Sequence, residues 1–387
     1  MLIQFEVENF LSIKEKQNIY FIANKNARIK NTRYEDNFNC DFAGYKIMKS
    51  AVIFGGNATG KTNLILGIEK MKNIILNGLD FKTVEYFHYG TDYVSFGIVL
   101  LDRNAKEYEY KITYNRSSVL YEELSVNEEL LYKFQDKKLA FGETIILEDK
   151  KEIEKIFSVE STDTILKKLS DHIKPYIVDF KNAIEDIIVI FDDRSEKITN
   201  GIKIESTIVT SEEKNRLYKN RAIILAILKI LDSKIDAIDF EKFSVKDNHS
   251  TYKIYFKRKG STERYFLDNE SKGIMKIMAI IGNLMYLFAE HKVLLIDELD
   301  SSISTKTLIE LFNQFINSKA NQGQMIVSSH NAFLMDNRMF HPQQLYLVDK
   351  NEDLGTEIYS VDDFHLRSEK RRLYDDYLKG RFGGING

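Results

Sequence analysis

The chain has 387 residues, 43% of them apolar, and sets 55 Lys and Arg against 58 Asp and Glu for a formal charge of −3. That size suits one large domain with an insertion or two ordinary domains, and the near-neutral balance excludes a surface that is basic throughout while leaving room for a local basic groove. The single cysteine, Cys40, excludes a disulfide framework or a cysteine zinc site within one chain; no apolar run reaches the roughly 18 residues of a membrane span, so a cytoplasmic protein without membrane contact is expected.

From Met1 the sequence alternates, with Ile3, Phe5 and Val7 on one side and Gln4, Glu6 and Glu8 on the other, which predicts a half-buried strand. A second strand is expected over 18–23. The stretch SAVIFGGNATGKTN then reads as an apolar strand over 51–54, a glycine-rich turn and an amphipathic helix through Leu64, Ile65, Ile68 and Met71. From Gly55 to Thr62 it fits the phosphate cradle G-x-x-x-x-G-K-[ST]. Gly55 and Gly60 let the backbone bend until its amides converge on phosphate oxygens, and the helix N-terminus adds partial positive charge. Lys61 is expected to reach the β- and γ-phosphates and Thr62 to ligate magnesium. Asn57 and Asn63 complete the expected nucleotide-binding set.

Further along, YVSFGIVLL and EYEYKITY read as strands on either side of the turn DRNAKE. From about 150 to 235 the sequence reads as helical, its clearest helix being EEKNRLYKNRAIILAILKILDSKI, initiated near Ser211. A hairpin is expected to join TYKIYFKRKG to STERYFLD. Its basic tip, Lys257, Arg258 and Lys259, and the later Arg367, Lys370, Arg371 and Arg372 are the stretches that would grip nucleic-acid phosphates. Solvated faces are the commoner meaning of such runs.

Ser271 precedes an apolar helix carrying Ile274, Ile277, Met278, Ile281, Met285 and Phe288, and by itself reads as a plain N-cap. Two apolar strands end in paired carboxylates, IIVIFDDR from Ile187 and KVLLIDELD from Lys292. The second is preferred, because a helix and another strand, QMIVSSH, follow it; the first reads as an ordinary strand ending in a turn. Asp297 is then the expected magnesium ligand, Glu298 the general base and His330 a γ-phosphate sensor, all at strand ends where ligands collect in α/β sheets.

Taken together, NFLSI, GGNATGKTN, ESKGIMK, LLIDELDSS and SSHNAFLMD resemble the ABC-type ATPase heads of the Rad50/SMC/RecF group, most closely the stand-alone AAA15 family, and LYDDYLKGRFGGI is similar to that family's tail. The resemblance implies an α/β fold: an ABC-type P-loop NTPase head with an N-terminal antiparallel β lobe, a RecA-like core sheet and a helical insertion, without a long coiled coil. The expected parts are a β lobe with the phosphate cradle over 1–145, a mostly helical insertion over 146–250, and the signature helix, acidic strand, switch histidine and tail over 251–387.

The resemblance also implies ATP and Mg2+ as ligands and a homodimer or larger homo-oligomer. Ser271 and Gly273 of one copy would touch the γ-phosphate held by Lys61 of the other, with Asp300 at the same seam. Two departures point to slow hydrolysis. Leu11 stands where the family usually carries Arg, and no glutamine coupling the first lobe to magnesium is identifiable. The implied setting is prokaryotic anti-phage defence, the ATPase acting as sensor for a separate effector encoded nearby, a nuclease or toxin; no stretch for a nuclease domain like that of the OLD family is visible. The alternative is a RecF-like repair ATPase that clamps DNA. A signalling GTPase fits poorly, since neither Asn-Lys-x-Asp nor an Asp-x-x-Gly switch after Thr62 occurs.

Overall fold

The computed structural model describes residues 1–80, 92–191, 207–246, 249–289, 291–364 and 372–382. Strands β1 (Leu2–Glu8) and β2 (Gln17–Tyr20) lead to a hairpin of β3 (Phe38–Phe42) and β4 (Tyr45–Met48), then to β5 (Ser50–Phe54) and helix α1 (Lys61–Asn77). Five strands follow, β6 (Val94–Leu101), β7 (Glu107–Tyr114), β8 (Val119–Val126), β9 (Glu129–Gln135) and β10 (Lys138–Phe141). Helices α2 (Lys150–Phe157), α3 (Ile165–Lys168) and α4 (Lys174–Glu185) precede β11 (Ile187–Ile190). Next come β12 (Ile208–Thr210), α5 (Ser211–Lys219), α6 (Arg221–Leu231), β13 (Ile235–Lys246), β14 (His249–Arg258) and β15 (Tyr265–Phe266). The remainder is α7 (Lys272–Ala289), β16 (Val293–Ile296), α8 (Thr305–Leu311), β17 (Gln324–Ser329), β18 (Leu345–Lys350), β19 (Thr356–Ser360) and α9 (Leu373–Leu378).

Two large sheets carry the fold. A seven-stranded antiparallel sheet has the order β10-β9-β8-β7-β6-β1-β2, and a six-stranded sheet the order β11-β16-β17-β5-β18-β19, parallel except for its last pair. The inner parallel strands β5, β16 and β17 are fully buried and mostly apolar because both of their faces are covered, with Ser328 and Ser329 as polar exceptions at the carboxyl end of β17. Ala51, Ile53, Val293, Leu295 and Ile326 point into one core, shared with α1 and the antiparallel sheet. Val52, Phe54, Leu294, Ile296 and Val327 point into a second, shared with α6, α7 and α8. Helix α7 contributes Ile277, Met278, Ile281, Leu284 and Leu287, all fully buried, each worth roughly 1.5–3 kcal/mol of transfer free energy.

Local expectations depart from the structure where backbone irregularity intervenes. A register shift between Leu2 and Gln4 puts Leu2, not Ile3, on the face of Phe5 and Val7, and Ile3 packs with Ile47 and Leu101 on the other side. The expected helix from Ser211 is two helices. Thr210 and Glu213 form a reciprocal capping box, and at Asn220 the side-chain amide bonds back to the Arg216 carbonyl and ends α5. The stretch 146–250, expected to be mostly helical, holds α2 to α6 and also β11, β12 and all of β13. A bulge between Ile235 and Ala237 breaks the alternation that would mark that last strand. The hairpin before α7 is present, with Tyr255 opposite Phe266.

One buried carboxylate organises the antiparallel lobe. Glu122 on β8 is fully buried and accepts the amides of Ile165 at 2.6 Å and Leu166 at 2.7 Å, capping α3, and the Tyr132 hydroxyl at 2.7 Å. Burial pushes its pKa up to about 7, against the pull of those donors. The folded chain therefore holds a proton that the unfolded chain releases, so stability falls as pH rises from about 4.5 to about 7, by on the order of 3 kcal/mol. Glu122→Gln should flatten that slope in thermal melts across the window; an unchanged slope would place the titration elsewhere.

Candidate functional site

The site sits at the carboxyl ends of three neighbouring parallel strands, β16, β17 and β5. Where β5 ends, Gly55 passes under β18 so closely that a Cβ would lie 2.4 Å from the Val348 carbonyl oxygen. Gly60 turns the chain into α1 at φ 116°, and a Cβ there would lie 2.2 Å from Thr356 Oγ1. Both positions therefore require glycine, one for close approach and one for conformation as well. Among the described residues the amides from Gly56 to Gly60 meet no protein acceptor, and successive amides of this kind are what anionic oxygens bind.

The α1 start is braced by a hydroxyl relay. Asn63 Nδ2 donates to Ser12 Oγ at 2.6 Å, Ser12 pairs with Thr356 Oγ1 at 2.7 Å, and Thr356 donates to the Thr59 carbonyl at 2.7 Å. Beside Ser12, Leu11 takes φ 51° and packs against the first core. The position at which the resembled family carries Arg thus holds an apolar side chain with no donor. Asn57 lies exposed on the loop.

Lys61 is buried, and its ammonium donates to the carbonyls of Gly55 at 2.9 Å and Gly56 at 2.8 Å. Burial lowers its pKa, while the carboxylates of Asp297, Glu298 and Asp300 act in the opposite direction. Thr62 Oγ1 donates to Asp297 Oδ2 at 2.8 Å. A hydroxyl and one carboxylate facing each other are oxygen donors of the kind that could hold a magnesium ion together with phosphate oxygens.

Pairing of β16 with β17 sets Ile296 beside Val327, and so brings Ser328 to Asp297. Ser328 Oγ donates to Asp297 Oδ1 at 2.5 Å and accepts the Glu298 amide at 2.8 Å. One hydroxyl thus aims the expected metal ligand and the expected base. Ser328→Ala should weaken Mg2+ binding at Asp297 by about 10–100-fold, read as an upward shift in the Mg2+ midpoint; an unmoved midpoint would reduce Ser328 to packing.

Glu298 takes φ 52°, a conformation costing on the order of 1 kcal/mol outside glycine. His330 lies between Lys61 and Glu298, with Nδ1 3.4 Å from the ammonium and Nε2 3.3 Å from Glu298 Oε1. An ammonium can only donate, so Nδ1 accepts and the Nε2 proton points at the carboxylate. The His330 amide is held by Asp300 Oδ2 at 3.0 Å, while Asp300 Oδ1 is buried and, among the described residues, without a partner.

Ser271 is exposed, and its hydroxyl accepts the Ile274 amide at 3.3 Å as an N-cap. Gly273 lies against the acidic turn, where a Cβ would sit 2.9 Å from the Ser302 carbonyl oxygen. Arg258 of the supposed basic tip is engaged elsewhere. It grips Asp232 at 2.8 Å and both Glu270 oxygens at 2.7 and 2.8 Å, steadying the residue before Ser271. Lys257 pairs with Asp239 at 3.0 Å. Asp192, Asp193, Arg367, Lys370 and Arg371 lie outside the described residues.

The phosphate cradle, Asp297, Glu298, Asp300 and His330 thus converge, whereas Gly273 meets this constellation through the acidic turn and Ser271 stands exposed at the helix tip. Sequence reading missed Ser12, Thr356, Ser328 and Lys276, whose partners lie on other elements. A cavity of about 930 Å³ lined by Tyr20, Tyr45, Tyr346, Asp362 and Asp363 among others shares no residue with this site.

The family model described as "AAA domain, putative AbiEii toxin, Type IV TA system" matches residues 50–336, from β5 past His330. Among solved structures, an SMC head bound to the C-winged helix domain of ScpA is similar at TM-score 0.50 and 12% identity, over 93% of this chain and 97% of that one. The SMC head domain from Thermotoga maritima gives TM-score 0.49 at 12% identity, over 93% and 98%. A Smc head domain with an extended coiled coil, derived from Pyrococcus furiosus and bound to the C-terminal domain of ScpA, gives 0.47 at 12%, over 93% and 96%. Sequence comparison with curated proteins finds no match. The α/β fold is that of SMC ABC-type ATPase heads, with an antiparallel and a mixed sheet, and no long coiled coil among the described residues.

Proposed function

The chain belongs to the family of AAA domains described with a putative AbiEii toxin of type IV toxin–antitoxin systems, and from that premise we propose that it is an ATP-hydrolysing head whose two copies close around nucleotide. Thr62 and Asp297 would hold Mg2+, which would neutralise phosphate charge. Lys61 and the loop amides would bind the β- and γ-phosphates. Glu298 would take the proton of the attacking water, and His330, with its Nε2 proton on Glu298, would align that carboxylate and report the terminal phosphate through Nδ1.

The observation that carries the pairing is the tip of α7. Ser271 and Lys272 are exposed at the start of a helix whose other described residues are buried or half-buried, so the positive end of its dipole is offered outward and a second copy is the partner that completes it. Ser271→Arg should leave ATP binding by the single chain within about twofold, yet abolish the ATP-dependent dimer in light scattering. Loss of nucleotide by the monomer would instead show that Ser271 serves its own site.

The open and closed states would be read by a separate effector, a nuclease or toxin, in AAA15-type anti-phage defence; the family description, which names a toxin, agrees with a toxic output and with nothing finer. Nuclease activity of the purified chain alone, lost with Lys61→Ala, would contradict the division of labour. The DNA-clamp alternative is weakened because Lys257 and Arg258 are already paired with carboxylates.

A further inference from the structure

We infer that Lys276 is a positioning residue that sets Glu298 from helix α7, so that the exposed helix tip and the base move together. The inference rests on the ATPase reading above. Lys276 lies in the second turn of α7, on a helix whose flanking Ile274, Ile277 and Met278 are buried. A cation near the positive end of a helix, on a mostly apolar element, opposes both the helix dipole and the hydrophobic pattern. Its compensation is specific. Nζ donates to the Glu298 carbonyl at 2.6 Å and to Ser301 Oγ at 2.6 Å.

Glu298 is thereby held at three atoms. Its amide rests on Ser328 Oγ at 2.8 Å, its carbonyl on Lys276, and its carboxylate faces His330 at 3.3 Å. The same carbonyl also accepts the Ser301 amide at 3.1 Å, which closes the turn over 298–301. At φ 52° the backbone of Glu298 sets the direction in which its side chain leaves the turn, from which the carboxylate reaches His330. Helix α7 touches this turn a second time, because the Ser302 carbonyl lies against Gly273. Gly273 and Lys276, at i and i+3, share one helix face. Any displacement of the Ser271–Gly273 tip by a docking partner is therefore carried to the Glu298 peptide. A shift of about 1 Å in a catalytic group is worth about 100-fold in rate.

The test compares Lys276→Met, Lys276→Arg and Glu298→Gln in the full chain, measuring kcat, KM, ATP affinity and melting temperature. Lys276→Met should lower kcat by about 10–100-fold, with ATP affinity and melting temperature close to wild type, and Lys276→Arg should recover part of the rate. The Lys276→Met/Glu298→Gln double variant should be no slower than Glu298→Gln alone, because both act on one group. An unchanged kcat in Lys276→Met overturns the inference, as does a joint fall of kcat, ATP affinity and melting temperature, or multiplicative effects in the double variant. Wild-type turnover by Glu298→Gln would overturn this inference and the assignment of the base together. A slow Glu298→Gln beside a normal Lys276→Met would overturn this inference alone.

Discussion

Glu298→Gln should cut ATP turnover by roughly 10²–10⁴-fold, the usual contribution of a positioned general base, while ATP stays bound and the closed dimer accumulates. The substitution preserves length and shape, and the amide oxygen can still accept from His330 Nε2, which lies 3.3 Å from Glu298 Oε1. The Ser328 and Lys276 bonds go to the main chain of residue 298, at 2.8 and 2.6 Å, so the backbone geometry survives as well. Only the ability to take a proton is removed. Single-turnover assays read the chemical step directly, and light scattering with ATP reads the trapped dimer. An unaltered chemical step would move the base to another residue.

Lys61→Ala should weaken ATP binding by roughly 10- to 100-fold, because a charge-assisted hydrogen bond to phosphate contributes about 1.5–3 kcal/mol. Turnover should fall with it. The variant should nonetheless melt no lower than wild type, since the change removes a buried ammonium whose pKa is already lowered by desolvation and whose bonds are to loop carbonyls. Calorimetric titration with ATP and a thermal melt separate the two effects. A large drop in melting temperature would mean that Lys61 holds the loop together rather than the ligand.

The residues legible in the sequence are those whose partners lie in the same short segment. A glycine-rich turn between a buried strand and a helix announces Lys61 and Thr62, and an apolar strand ending in acids announces Asp297 and Glu298. Ser328 was not legible, because its role follows from the parallel register of β16 and β17. Thr356 braces a loop nearly three hundred residues away in the chain through its bond to Thr59. Lys276 was not legible either, because its acceptors, the Glu298 carbonyl and Ser301 Oγ, lie on the acidic turn.

Arg258 misled in the opposite sense. Within KRK it resembles a nucleic-acid contact, but its side chain is only 15% exposed and pairs bidentately with Glu270. Strands were lost where alternation is interrupted, as at the bulge of β13. The long helix was overextended because nothing in its periodicity marks the back-bonding Asn220.

The central claim is that the cradle of one chain and the α7 tip of another close on the same terminal phosphate. A structure of the Glu298→Gln protein with ATP and Mg2+ tests it most directly. The expected result is a two-fold dimer in which Ser271 and Gly273 of one chain contact the phosphate held by Lys61 of its mate. Nucleotide enclosed by a lone chain, with Gly273 distant from every γ-phosphate, would contradict it.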